Sequence, residues 1–140
     1  MKDVRKQLSI GLITAINAKS TGLTVYTKIP KGDALNPISY PFIYISEIYD
    51  YEDGPKNQFM YQYEVVLEVV YKDLNSKIAM WTTVDKIKQT INNNSPFTLT
   101  DNFKIMESTL ISTEETETLI NSQEVSTTII RMNFQIEDNN

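Results

Sequence analysis

The stretch Phe59-Met-Tyr-Gln-Tyr-Glu-Val-Val-Leu-Glu-Val-Val-Tyr71 decides how the rest of the chain is read. Phe59, Tyr61, Tyr63, Val65, Leu67, Val69 and Tyr71 are all apolar or aromatic, whereas Met60, Gln62, Glu64 and Glu68 are interspersed with Val66 and Val70 at the even positions. Successive side chains leave a strand on opposite faces, so this period of two predicts a β-strand. At roughly 3.3 Å per residue it spans about 40 Å, well beyond the usual strand of ~5–6 residues. Such a strand is expected to twist strongly, bend at a bulge, or run past its own sheet toward a partner.

On its C-terminal side, Asp73-Leu-Asn-Ser76 turns the chain into a helix, with Asn75 or Ser76 as cap. Met80, Val84, Ile87 and Ile91 recur at helical spacing, and Trp81 beside them is expected to anchor the helix to the sheet. Asp85, Lys86 and Lys88 fall on the opposite side, and Asn92–Pro96 ends the helix. Two further strands follow, Phe103–Ile111 and Ser126–Ile136, read from alternation. The link Ser112–Glu124 between them is Thr-rich and acidic, through Glu114, Glu115, Glu117 and Glu124. It looks too long for a tight hairpin turn, leaving a protruding hairpin arm or a loop that orders on a partner. Residues 138–140 are expected to fray.

On its N-terminal side lies the acidic turn Asp50-Tyr-Glu-Asp-Gly-Pro-Lys-Asn57. Its carboxylates lack the alternating ligand spacing of a calcium loop, so Gly54 and Pro55 mark a turn and no metal is expected. Before it, Phe42–Tyr49 is a strand with aromatic and β-branched residues on both faces. The loop Pro30–Pro41 has a lone Gly32 with no helix behind it, which favours a surface connection over a phosphate cradle. Leu23–Ile29 alternates as a short strand ending at Pro30. The first helix starts near Asp3, carries Val4, Leu8, Leu12, Ala15 and Ile16 on one stripe, and fades into Lys19–Gly22. The basic start and short apolar run also allow a signal-peptide reading, which Asp3, Ser9, Gly11 and Thr14 weaken.

Composition narrows the chemistry. The 140 residues suit a single domain, 1–140, able to bury about two-thirds of its unfolded surface. The chain contains neither cysteine nor histidine, which removes disulfides, thiolate catalysis, the commonest general base and the usual metal ligand. No apolar run approaches the ~20 residues of a membrane helix. A net charge of −5 argues against sequence-independent binding to phosphate backbones. Neither a catalytic site nor a cofactor is expected.

Helix, strand, strand, long strand, helix, strand, strand predicts an α+β domain: a mainly antiparallel sheet of about five strands with two helices packed on one face. The odd face of the long strand, with Tyr61, Tyr63, Val65 and Leu67, then meets the helices. The other face carries Tyr44, Val66 and Val70, an apolar set that a second copy of the chain is expected to cover.

The layout resembles the small tail-terminator and tail-completion proteins of tailed bacteriophages. The resemblance rests on Val25-Tyr-Thr-Lys-Ile-Pro30 leading to Tyr40-Pro-Phe-Ile-Tyr-Ile45, the long strand Gln62–Tyr71, the helix Met80–Ile91 and the closing pair Phe103–Ile111 and Ser126–Ile136. It implies a structural virion protein of the tail or neck, assembled in the host cytoplasm. Such a protein forms a homo-oligomeric ring, hexamer or dodecamer, as tail terminator or head-tail connector. Portal, adaptor or tail-tube proteins are its neighbours, and DNA passes through the lumen without sequence recognition. No membrane and no catalytic residues are implied. Tyr44, Val66, Val70, Glu114, Glu115 and Glu117 are the candidate subunit contacts. Two other classes stay open. One is a non-enzymatic module binding peptide or glycan through a Tyr-rich sheet. The other is a carboxylate enzyme using Asp50, Glu52, Glu64 or Glu68.

Overall fold

A computed structural model describes residues 3–50, 60–73, 75–91, 97–120 and 122–140. The elements in chain order are α1 (Arg5–Ala18), β1 (Val25–Tyr26), β2 (Phe42–Asp50), β3 (Met60–Lys72), α2 (Ile78–Gln89), β4 (Phe103–Ile120) and β5 (Gln123–Asp138). One five-stranded sheet has the order β1-β2-β3-β5-β4. Every pairing is antiparallel except the short parallel contact of β1 with β2. The expected α+β class, with both helices on one face, is what the chain adopts.

The long strand does not run past its sheet. β3 pairs along its whole length with β5, from Met60↔Glu137 to Lys72↔Val125, and with β2 from Tyr63 to Val70. Its odd residues Tyr61, Tyr63, Val65, Leu67, Val69 and Tyr71 join Leu8, Leu12 and Ile16 of α1 and Met80, Val84 and Ile87 of α2 in the main core. Ile130, Met132, Phe134 and Ile136 of β5 fill the same layer. Two core phenols find partners: Tyr63 Oη accepts from Val4 N at 3.1 Å, and Tyr71 Oη lies 2.7 Å from Thr83 Oγ1. Gly11 is buried in α1 because the segment before β4 presses on it; a Cβ there would lie 2.8 Å from Leu99 Cδ2.

Helix ends follow local chemistry. The N-caps are Val4 and Lys77, without a side-chain cap bond and not the expected Asn75 or Ser76; from one residue earlier, Asp3 Oδ1 accepts from Arg5 N at 3.0 Å and Ser76 Oγ from Ile78 N at 3.3 Å. After α1, Ser20 (φ 55) takes the first left-handed turn, and Gly22 (φ 75) follows.

Several expectations need correction. Leu23–Ile29 contributes only the two residues of β1. The Ser112–Glu124 link is not a loop, because both strands extend through it to a turn after Ile120↔Gln123, where Ser122 has φ 65. Nor is it a freestanding arm: Thr118↔Val125↔Lys72 still spans three strands. Register shifts at 105/107 and 110/112 interrupt the alternation read for Phe103–Ile111, placing Ser108 in the buried layer and leaving Ile111 exposed. Trp81 ties α2 to the sheet as expected, but at its edge through Glu115 of β4 rather than through the core, and it stays 52% exposed. The C-terminal residues are tied down rather than frayed, with Asn139 N donating to Asn102 O at 3.0 Å. The acidic turn at 51–57, with its calcium reading, lies outside the described residues.

The far face of the sheet is half covered by the chain itself. Phe42, Val70 and Val125 form a second cluster, capped by Tyr26, Ile38, Tyr40 and Tyr44. The loop reaches them through a tight crossing at Gly32, where a Cβ would stand 2.4 Å from Ile38 N. Asp33 Oδ1 fixes the bend by accepting from Leu35 N (2.9 Å) and Asn36 N (2.7 Å). Gly32 therefore serves a close backbone approach.

Candidate functional site

The sheet has two open edges, and each is flanked by a helix. At the first, β1 stops after pairing Val25↔Ile43 and Tyr26↔Tyr44. Beyond that point the outer edge of β2 has no strand partner among the described residues. An open groove of about 710 Å³ runs here between α1 and β2, its charged lining being Arg5, Lys6 and Glu47 and its apolar lining including Ile10, Ile13 and Ile48. Ile10 and Tyr49 are exposed apolar residues on its walls. α1 carries Arg5 and Lys6 and no acidic residue. Arg5 is held by Asp3 at 2.6 Å, and its hydrogen bonds lower the Asp3 carboxyl to about 2. Lys6 forms no ion pair among the described residues.

At the opposite edge runs β4, whose outer side is unpaired among the described residues. It carries Glu107, Glu114, Glu115 and Glu117 against a single Lys104. Glu115 and Glu117 point to the helix side. Trp81 Nε1 donates to Glu115 Oε1 at 2.5 Å, and Lys77 Nζ lies 3.3 Å from Glu115 Oε2 and 2.6 Å from Glu117 Oε1. Hydrogen bonding to Glu117 first, then Glu115, pushes the Lys77 ammonium up from its ordinary range. Ile78, Trp81, Leu110 and Leu119 are exposed apolar residues along this edge and the adjoining turn of α2.

Between the edges, the far face reads in rows. Tyr44–Glu68–Ile129–Glu114 crosses four strands, followed by Glu47–Val66–Arg131–Ser112 and Tyr49–Glu64–Asn133–Thr109. Carboxylates outnumber the cations Lys72, Lys104 and Arg131 on this face. Of the candidate contacts, Tyr44, Val66, Val70 and Glu114 share this face, while Glu115 and Glu117 belong to the helix side. Val66 and Val70 are only 4% and 8% exposed in the single chain, so they have little surface to give a partner. The α1 groove went unnoticed in the sequence; its one local signal was that α1 has basic residues but no acidic ones.

The same geometry bears on parts of the two alternative readings, Glu52 lying outside the described residues. Glu64 and Glu68 sit four residues apart on one strand, about 13 Å at ~3.3 Å per residue. That exceeds the ~5–9.5 Å separations of paired glycosidase carboxylates. Tyr61, Tyr63 and Tyr71 are buried against the helices and offer no stacking platform. Among the described residues no group of three or more acidic side chains could hold a metal ion.

No family model matches this chain. No curated protein matches it by sequence either. Its shape, however, has relatives among solved structures. A chain from the virion of a native gene transfer agent particle superposes with a TM-score of 0.69 at 11% identity, covering 96% of this chain and 99% of that one. The fold is shared from end to end. A second solved chain, which brings no functional description, gives a TM-score of 0.53 at 10% identity over 94% of this chain and 92% of its own length.

Proposed function

We propose that this protein is a structural component of a tailed-phage-like virion, acting as a homo-oligomeric ring in the neck or tail and catalysing no reaction. The observation that carries the reading is the match over nearly both whole lengths to a chain of a gene transfer agent virion. Two open, helix-flanked edges on one sheet support it, because a monomer with exposed strand edges and apolar rims is prone to association. In this reading the chain is a tail terminator or head-tail connector, its neighbours are portal, adaptor or tail-tube proteins, and it assembles in the host cytoplasm. DNA passes the ring without sequence recognition. The far face, with Glu47, Glu64, Glu68, Glu107 and Glu114, suits a lumen wall, since carboxylates repel phosphates and keep the strand from adhering. Tyr44, lying on the same face, and Glu114 at its β4 edge remain contacts proposed for this assembly.

Electron microscopy and native mass spectrometry of the concentrated protein test the ring directly. Closed particles of uniform copy number are expected. A strict monomer at high concentration, both alone and after mixing with portal-bearing particles, would sink the reading.

A further inference from the structure

We infer that the subunits join edge to edge: the outer strand β4 of one copy lies along the free edge of β2 in the next, over the α1 groove. This rests on the ring reading and specifies its contact. Three independent observations point to a second copy as the occupant.

The first is strand direction. β2, β3, β5 and β4 alternate in direction across the sheet. A neighbouring sheet placed side by side in the same sense therefore brings β4 antiparallel to β2, and the alternation continues without a break. The ladder can form because β1 leaves the β2 edge open after Tyr44, and Ser112–Ile120 of β4 contains no bulge and no proline.

The second is charge. The groove side brings Lys6 beside Glu47, with Arg5 held by Asp3, whereas β4 brings Glu107 and Glu114 against one lysine, with Glu115 and Glu117 held by Lys77. Unlike edges attract, whereas two β4 edges face each other with like charges. An isologous β4–β4 pair is disfavoured on this ground.

The third is apolar area. Ile10 and Tyr49 are exposed at one edge, and Leu110, Ile78 and Trp81 at the other. Joining unlike edges on one molecule makes a heterologous contact, which closes as a ring when its rotation divides a full turn.

The absence of cysteine makes the test clean. Ser9→Cys on the groove and Thr113→Cys on the helix side of β4 are made as separate full-length proteins. Each is checked for a native circular-dichroism spectrum, then they are mixed and treated with a short bismaleimide. A covalent dimer in the mixture, far above the yield of either variant alone, is expected, and it should be lost at high salt. Lys6→Glu should weaken self-association about fivefold. Dimers of Thr113→Cys alone would overturn the edge-to-edge contact in favour of an isologous one. Rings seen by electron microscopy without the mixed dimer would overturn this contact while leaving the ring reading in place. Monomers with neither ring nor cross-link would overturn both.

Discussion

The two faces of the sheet are built from the same strands and solve burial differently. On the helix face, β3 and β5 present an apolar layer from Ile130 to Ile136, with buried Ser126 and Thr128 at one end and Asp138 at the other, and two amphipathic helices close it. On the far face the corner around Phe42, Val70 and Val125 is an apolar cluster closed by a non-repetitive loop, while Val66 and Ile129 sit singly among polar neighbours. Helices bring regular, interlocking stripes; the loop brings three or four side chains hung on one tight crossing. The first face holds the fold, and the second has room for charge.

The comparison breaks first if the helix face tolerates truncation. Phe134, fully buried and 5.5 Å from the Phe97 ring, should cost about 4 kcal/mol when replaced by Ala, read from urea denaturation. Val66→Glu comes next. The sequence alone suggested a change felt in assembly, but a residue 4% exposed in the single chain should lose about 2–3 kcal/mol of the chain's own stability. An unchanged melting temperature for the monomer would return Val66 to the surface. Gly32→Ala sharpens the contrast, since a Cβ 2.4 Å from Ile38 N must open the loop. About 1–2 kcal/mol should be lost, with faster hydrogen exchange confined to the loop and the Phe42 corner. Tyr71→Phe removes the bond to Thr83 on the helix face and should cost about 1 kcal/mol. The smallest effect is expected at Asp3. Its carboxyl is lowered to about 2, so its contribution is present above the ordinary carboxylate range and fades as pH falls from 3.8 through 2. Because the Asp3 side chain is more than half exposed, the difference between wild type and Asp3→Asn should be small at pH 7 and vanish at the acid end.

What the sequence could convey depended on contrast between neighbours. Tyr63 to Leu67 alternates sharply, so its inward face was readable at once. Ser112 to Leu119 is almost all Ser, Thr and Glu, so nothing in composition told strand from loop, although that segment forms part of the unpaired outer edge of β4 among the described residues. Bulges after Ile105 and Leu110 invert inside and outside without any marker residue. Trp81 misled only about where it anchors, because it sits one position from the buried stripe, and that step carries it to Glu115 rather than to the core. Ile38 and Tyr40 cap the far face from a loop with no period at all. The candidate contact surfaces were the least readable part. An open edge is a property of strand order, and no single residue announces that β1 ends after Tyr26.

Strand order also sets a timetable for synthesis. β5, last in the chain, lies between β3 and β4, so the middle of the sheet is completed after its flank. While α2 and β4 are being made, β3 exposes one complete side of a strand rich in Val and Tyr, with partners still roughly 50 to 80 residues away in sequence. The growing chain thus passes through a stage whose stickiest edge awaits its own C-terminal strand, and in a crowded cell that interval is when a stray copy can be captured.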